Sequence, residues 1–98
     1  VNRCWGESLY KTAGCVSCHS TDPAVQGPGP SWATIWGKDR PFEDGSSAAG
    51  DLNYIRQSIL QPQAKIVKGY TTTQMNAYRL SDRQIGAIAA YIESLSQR

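Results

Sequence analysis

The sequence has 98 residues, of which 40% are hydrophobic, and ten basic residues against eight acidic ones give a net charge of +2. A chain this short makes one domain, residues 1–98, which buries too little apolar surface to be stable without an added source of cohesion such as a metal or a cofactor. No run of like charges suits a nucleic acid partner, and no apolar stretch reaches the roughly 18 residues of a membrane span.

The first predicted helix covers residues 3–14. Its apolar residues Trp5, Leu9 and Tyr10 lie on one side at helical spacing, and Gly14 is suited to a C-terminal cap. The pattern therefore predicts a short amphipathic helix that ends just before Cys15.

Residues 20–50 are rich in Gly, Pro, Ser and Asp, which favours irregular structure with a single apolar turn at 32–36. The second helix is predicted over 51–61, where three apolar residues recur at i, i+3 and i+7 before Pro62 ends the pattern. These apolar residues are Leu52, Ile55 and Ile59.

Residues 64–79 have no helical period and predict an irregular loop, which includes three consecutive threonines and the single methionine, Met75. The last helix is predicted to begin at Ser81, because Ser81 and Gln84 have capping-box spacing. This helix should reach nearly to Ser96. Its repeating apolar residues are Ile85, Ile88, Ile92 and Leu95. No convincing alternation of period two occurs, so the predicted class is all-α with three main helices, short turns and long loops.

The sequence Cys15-Val16-Ser17-Cys18-His19 is a C-x-x-C-H motif, which is the attachment signature of a c-type haem. Two thiols one helical turn apart can both add to the vinyl groups on one edge of the porphyrin, and the imidazole of the next residue then points at the iron. The motif predicts one haem c, covalently bound through Cys15 and Cys18, with His19 as the proximal ligand.

Two other interpretations of the cysteines remain open at this point. A C-x-x-C pair also occurs in thioredoxin-like redox proteins, but that fold requires βαβ units that the pattern does not show. Cys4 together with the motif would complete a Cys₃His zinc site, although the adjacent Cys18 and His19 would strain it. The zinc interpretation also leaves the apolar helices and the methionine unexplained.

His19 is the only histidine and Met75 the only methionine in the sequence. A second histidine ligand from the same chain is therefore excluded, and a thioether is a soft ligand that suits ferrous haem. With His19 and Met75 both bound, the iron has no open position for oxygen, peroxide or a substrate. The expected function is electron transfer rather than catalysis, so we predict an electron carrier and not an enzyme.

Nearly the whole chain resembles the class I cytochrome c family. It is most similar to the cytochrome c domain fused to subunit II of caa-type haem-copper cytochrome c oxidases. The similar stretches are GESLYKTAGCVSCHS, GPGPSW with WG following, FEDG, YIRQSILQPQAKIVKGY and LSDRQIGAIAAYIESL.

The resemblance implies that Gly6 and Tyr10 cross the last helix near Tyr91 and Leu95, and that the carbonyl of Pro30 accepts a hydrogen bond from the imidazole of His19. It also implies residues that contact the porphyrin or its propionates. Those candidates are Trp32, Trp36, Arg40 and Tyr70.

The sequence departs from the family at two places. The ligand methionine is usually followed by proline, whereas Met75 is followed by Asn76 and preceded by Gln74 and three threonines. Cys4 is also outside the family pattern, and we expect it to be an unmodified thiol; a buried apolar role, a reactive surface thiol and an intermolecular link all remain open.

The resemblance implies redox proteins as partners, with a quinol-oxidising complex or a small carrier as donor and the copper centre of the oxidase as acceptor. One histidine cannot supply a dinuclear copper site, so that centre would lie in the neighbouring domain. Lys65 and Lys68 are candidate charges around the haem edge. The expected location is the periplasm or the outer face of the cytoplasmic membrane. A free-standing periplasmic cytochrome c, or the electron-transfer domain of another reductase, is the alternative.

Overall fold

The structure is a computed structural model that describes residues 2–25, 27–70 and 75–96. Three α-helices run through it: α1 (Asn2–Thr12), α2 (Leu52–Leu60) and α3 (Asp82–Leu95). Short 3₁₀ turns occupy Cys15–Ser17 and Trp32–Thr34. The three predicted helices are confirmed, and of the predicted loop 64–79, residues 71–74 lie outside the described part of the chain.

Side-chain caps fix where the second and third helices begin. Asp51 accepts a hydrogen bond of 2.9 Å from the amide of Tyr54 at the start of α2. At the start of α3 the Ser81 hydroxyl accepts from the Gln84 amide, and the Gln84 side chain accepts from the Ser81 amide. This reciprocal pair is the capping box that the sequence predicts, and it fixes the residue at which α3 begins.

Helices α1 and α3 cross at a glycine. A Cβ added to Gly6 would lie 2.0 Å from the carbonyl oxygen of Ala87, so no larger residue fits at this position. One turn further along α1, Tyr10 is buried and its ring centroid lies 5.9 Å from that of Tyr91. Trp5, which periodicity places on the buried side, is 40% exposed, because the crossing is made through the glycine next to it.

The core lies along α3, whose residues Ile85, Ile88 and Ile92 are at most 2% exposed. Helix α2 contributes its two buried residues, Ile55 and Ile59, to the same cluster. Leu52, which the pattern assigns to the same face, is 39% exposed. Of the three apolar residues in the pattern, this short helix therefore buries only the two that follow its first turn.

A small antiparallel hairpin, which the periodicity does not reveal, connects the first and second halves of the chain. Strand β1 (Asp39–Pro41) pairs with β2 (Ser47–Ala49), and Asp39 is opposite Ala49 in the register. Strands of three residues are too short to show a period of two. Beyond the hairpin, Phe42 forms an isolated bridge with Val67, which fastens the hairpin to the loop after α2.

Candidate cofactor site

A cavity of about 370 Å³ opens between α2, α3 and the loops on either side of α2. This volume is in the usual range of small-molecule sites. Its walls are mainly apolar and aromatic, as a site for a porphyrin requires. The apolar and aromatic residues that line it include Trp32, Ile35, Tyr54, Ile55, Ile59, Tyr78, Ile88 and Ile92.

The C-x-x-C-H motif forms one end of this cavity. Cys15 is buried and Cys18 is partly buried, and both line the cavity together with His19. The amides of Cys18 and His19 donate to the Cys15 carbonyl at 3.2 and 3.0 Å, which closes a tight turn. Within the described residues all three cysteines are free thiols, so both motif thiols are available for thioether bonds to one ligand.

A hydrogen bond to the main chain fixes the imidazole of His19. Its Nδ1 lies 2.7 Å from the carbonyl oxygen of Pro30. Because a carbonyl can only accept, Nδ1 carries the proton, and Nε2 is left with the lone pair that a metal requires. The hydroxyl of Tyr10 also donates to the main-chain carbonyl of His19, which fixes the backbone beneath the ring.

Gly29 is a site residue that the sequence interpretation missed. A Cβ at this position would lie 2.6 Å from Cε1 and 2.9 Å from Nδ1 of His19, so the ring occupies the space of the absent side chain. The amide of Gly29 donates to the Cys18 carbonyl at 2.9 Å. The only signal in the sequence is that this glycine stands between Pro28 and Pro30, ten residues after His19, and that signal does not reveal the contact.

Burial controls the protonation of the two proximal groups. Burial lowers the pKa of His19, and the bond to the Pro30 carbonyl only partly opposes this effect, so the imidazole is neutral near pH 7. Burial also raises the pKa of the Cys15 thiol. Cys15 therefore remains a protonated thiol near pH 7 until it is modified.

Met75 lines the same cavity and is half-buried. Two hydrogen bonds hold its segment: Nε2 of Gln63 donates to the Met75 carbonyl at 3.4 Å, and the Tyr78 amide donates to the Ile59 carbonyl at 2.9 Å. The second of these bonds satisfies a carbonyl near the end of α2. The structure thus brings the only methionine and the only histidine to one cavity.

The remaining predicted site residues fall into two groups. Pro30, Trp32 and Tyr70 line the cavity, whereas Trp36 and Arg40 are not among its lining residues. Trp36 packs against the hydrophobic cluster from outside the cavity. Arg40 is buried and its Nη1 donates to the carbonyl of Thr34 at 3.0 Å, so it supports the turn that carries Trp32.

The geometry does not support the zinc or the thioredoxin interpretation. Within the described residues no three His, Cys, Asp or Glu side chains cluster closely enough to hold a metal ion. Cys4 is exposed on α1, which also excludes a buried apolar role for it. The only strands described are those of the small antiparallel hairpin, whereas a thioredoxin-like fold is built from βαβ units.

Comparison with known proteins decides between these interpretations. Residues 5–96 match the family described as cytochrome c. The chain belongs to the cytochrome c family. Among solved structures, the cytochrome c from Rhodothermus marinus is similar with a TM-score of 0.67 and 22% identity, over 98% of this chain and 78% of that one, which supports the fold. No curated protein matches the chain.

Membership in the family settles the cofactor and the general role. This cytochrome c carries one haem c, attached through Cys15 and Cys18, and transfers electrons by means of it. The cavity fits that group, because both thiols, an imidazole with a free Nε2 and an apolar wall meet in it.

In the described part of the chain, no helix is long and apolar enough to cross a membrane.

Proposed function

We propose that this cytochrome c domain holds its haem iron between His19 and Met75 and passes single electrons into the copper centre of a cytochrome c oxidase as part of subunit II. The observation that carries the ligand assignment is that Met75 and the His19 imidazole line one cavity, with Nε2 of His19 left unprotonated. The bound haem supplies a one-electron iron couple, and Met ligation raises its potential.

The role of the protein is to hold two ligands and exclude water. Pro30 fixes the tautomer and orientation of His19, and Gly29 leaves room for the ring in that orientation. Ile55, Ile59 and Ile88 make the wall apolar, which keeps the site at low dielectric. If His19 and Met75 both bind the iron, the chain would offer no position for a substrate, which is why we assign it no catalytic residue.

Three further residues are proposed to contact the porphyrin or its propionates. Trp32 and Tyr70 already line the cavity. Arg40 has a buried Nε without a hydrogen-bond partner among the described residues, and a carboxylate ligand would satisfy such a group. Trp36 packs against the hydrophobic cluster, and we propose that it supports the turn that carries Trp32.

The assignment to an oxidase subunit rests on the order and spacing of the sequence stretches described above. A copper centre would lie in a neighbouring domain, because His19 is the only histidine in the sequence. The proposed donor is a quinol-oxidising complex or a small electron carrier, and the proposed location is the periplasm or the outer face of the membrane. Residues 1–98 are proposed to form one domain of the larger assembly.

Charges near the cavity also bear on docking. Nζ of Lys65, which lines the cavity, forms an ion pair of 2.7 Å with Asp44, so its charge is locally compensated. Lys68 is exposed and makes no such pair among the described residues. We therefore propose that Lys68 contributes more than Lys65 to electrostatic steering of the partner.

The ligand assignment is tested by the absorption spectra of the purified holo-protein together with a potentiometric titration. We expect a sharp reduced α band, a weak far-red sulfur-to-iron band in the oxidised state, and a titration that fits one electron. An oxidised protein without the far-red band would contradict Met75 as a ligand.

The oxidase assignment needs a separate experiment. The reduced protein is mixed rapidly with the oxidised copper-containing domain of a caa-type subunit II, and with a copper protein of another pathway as the control acceptor. We expect oxidation by the subunit II domain to be faster than by the control. Equal rates would contradict the assignment to subunit II and leave the electron carrier in place.

A further inference from the structure

Residues 65–70 form one wall of the cavity, and this wall has no regular structure of its own. Lys65, Ile66, Val67 and Tyr70 all line the cavity. The last of them follows Gly69, whose φ of 93° lies in the left-handed region. Neither a helix nor a strand ladder therefore determines the direction in which Tyr70 points.

The hairpin region holds this wall from outside. The amide of Glu43 donates to the Ile66 carbonyl, and the amide of Lys68 donates to the Pro41 carbonyl, both at 2.9 Å. Phe42 bridges to Val67 between these two bonds. These main-chain bonds position the middle of the wall but do not reach its end at Gly69.

The end of the wall is held by a side chain. Oε1 of Glu43 accepts a hydrogen bond of 2.7 Å from the amide of Gly69. A bond from an amide to a carboxylate is charge-assisted and stronger than a neutral one. It fixes the residue at which the backbone turns towards the cavity, and the Tyr70 amide then completes the turn by donating to the Val67 carbonyl at 3.0 Å.

We infer that Glu43 is a positioning residue of the haem site: its carboxylate holds the Gly69 amide and thereby directs Tyr70 into the cavity. The inference rests on the proposed role of Tyr70 at the haem. Glu43 is exposed and does not line the cavity, so it acts through the wall rather than by contact with the cofactor.

The neighbouring carboxylate provides a matched comparison. Asp44 binds Nζ of Lys65 at 2.7 Å and has no bond to Gly69 in the described structure. Both carboxylates belong to the same hairpin turn and both are exposed. Loss of Asp44 therefore removes a charge from the same place without releasing the end of the wall.

The first test is hydrogen exchange of the Gly69 amide in the holo-protein. We expect Glu43→Ala to speed this exchange by about 3- to 10-fold, the factor that one net hydrogen bond supplies. Glu43→Gln retains an oxygen acceptor but loses its charge, so its exchange rate should lie between those of wild type and Glu43→Ala, and Asp44→Ala should leave Gly69 unchanged. Equal exchange in Glu43→Ala and wild type would overturn the inference. If Glu43→Ala yields no holo-protein, Glu43→Asp makes the same test, because its shorter side chain withdraws the acceptor.

The second test is a double-mutant cycle on the reduction potential. Glu43→Ala should lower the potential relative to Glu43→Gln, because a loosened wall admits water, which favours the more highly charged ferric state. The difference should shrink in the Tyr70→Phe background if Glu43 acts through Tyr70. An undiminished difference would overturn the path through Tyr70. A wild type without a His/Met spectrum would instead refute the proposed function, while the Gly69 exchange rates would still report on the carboxylate.

Discussion

The two sides of the cavity are built in different ways. On the proximal side His19 is fixed by its ring bond to Pro30, by the Tyr10 hydroxyl at its carbonyl and by the absence of a side chain at Gly29. On the side of Met75, the proposed distal ligand, Nε2 of Gln63 donates a hydrogen bond of 3.4 Å to the Met75 carbonyl. The described structure shows no hydrogen bond to the thioether itself.

From this difference we predict that Met75 is the weaker of the two proposed ligands. A ring held by a hydrogen bond and by packing loses little freedom when it binds iron, whereas the Met75 thioether, to which the described residues donate no hydrogen bond, would be ordered by the iron itself. We therefore expect perturbations on the distal side to change the spectrum and potential. Perturbations on the proximal side should instead destabilise the whole holo-protein.

The largest effect on the site is expected from Met75→Ala. Removing the thioether should abolish the far-red band and lower the reduction potential by about 0.1 V or more, since axial ligands shift haem potentials over a range of ~0.8 V. Spectra and potentiometry of the holo-protein measure both effects. A variant that keeps the far-red band would show that the distal ligand is not this methionine.

Gly29→Ala tests the proximal side. The added methyl would lie 2.6 Å from Cε1 of His19, so the ring must move, and overpacking of this kind costs about 1–3 kcal/mol. Chemical denaturation of the holo-protein measures the loss. The matched control is Gly86→Ala in α3, where a Cβ meets no described atom outside its own stretch of helix within 4 Å, and we expect a gain of about 0.5–1 kcal/mol. Equal stability of Gly29→Ala and wild type would contradict the packed-ring account.

Gln63→Ala should have a smaller effect, confined to the distal side. The bond of its Nε2 to the Met75 carbonyl is long and exposed, so its loss should cost about 0.5 kcal/mol. The far-red band should then fade at a lower temperature than in wild type, as a thermal titration of the oxidised protein would show. The exposed Gln57→Ala on α2 is the control and should not change that temperature. If heating displaced His19 before Met75, the comparison between the two sides of the cavity would be reversed.

The smallest effect is expected at the ion pair between Asp44 and Lys65. Hydrogen bonds from Lys65 and Ser46 lower the pKa of Asp44 below its usual value of 3.8. Because the folded pKa is the lower one, the stabilisation is present above pH 3.8 and is lost as the pH falls through the folded value. The stability difference between wild type and Asp44→Asn should therefore be small near neutrality, disappear in acid and shrink in high salt. A difference that grows in acid would contradict the pairing.

The sequence predicts the helices and the haem attachment because both depend on local spacing. The capping box at Ser81 and the C-x-x-C-H motif act over a few residues, and the structure shows the former directly. Periodicity errs at Trp5, because a glycine contact carries the helix crossing and glycine does not count as apolar in such a pattern.

Contacts between distant segments could not be predicted from local sequence patterns. The bond from Gly69 to Glu43 and the contact of Gly29 with His19 join residues that no local pattern relates. The hairpin is equally hidden, because its strands have three residues each and one of them ends in Pro41. Resemblance to a family supplied Pro30 as the partner of His19, and the geometry shows that bond at 2.7 Å.

The central claim is that side chains fill both axial positions of the iron, and carbon monoxide tests it most directly. The reduced wild-type protein is exposed to carbon monoxide near neutral pH, with Met75→Ala as the comparison. We expect no change in the wild-type spectrum and ready binding by the variant, because removal of the thioether opens the distal side. Rapid binding by the wild type would contradict the closed-site electron carrier.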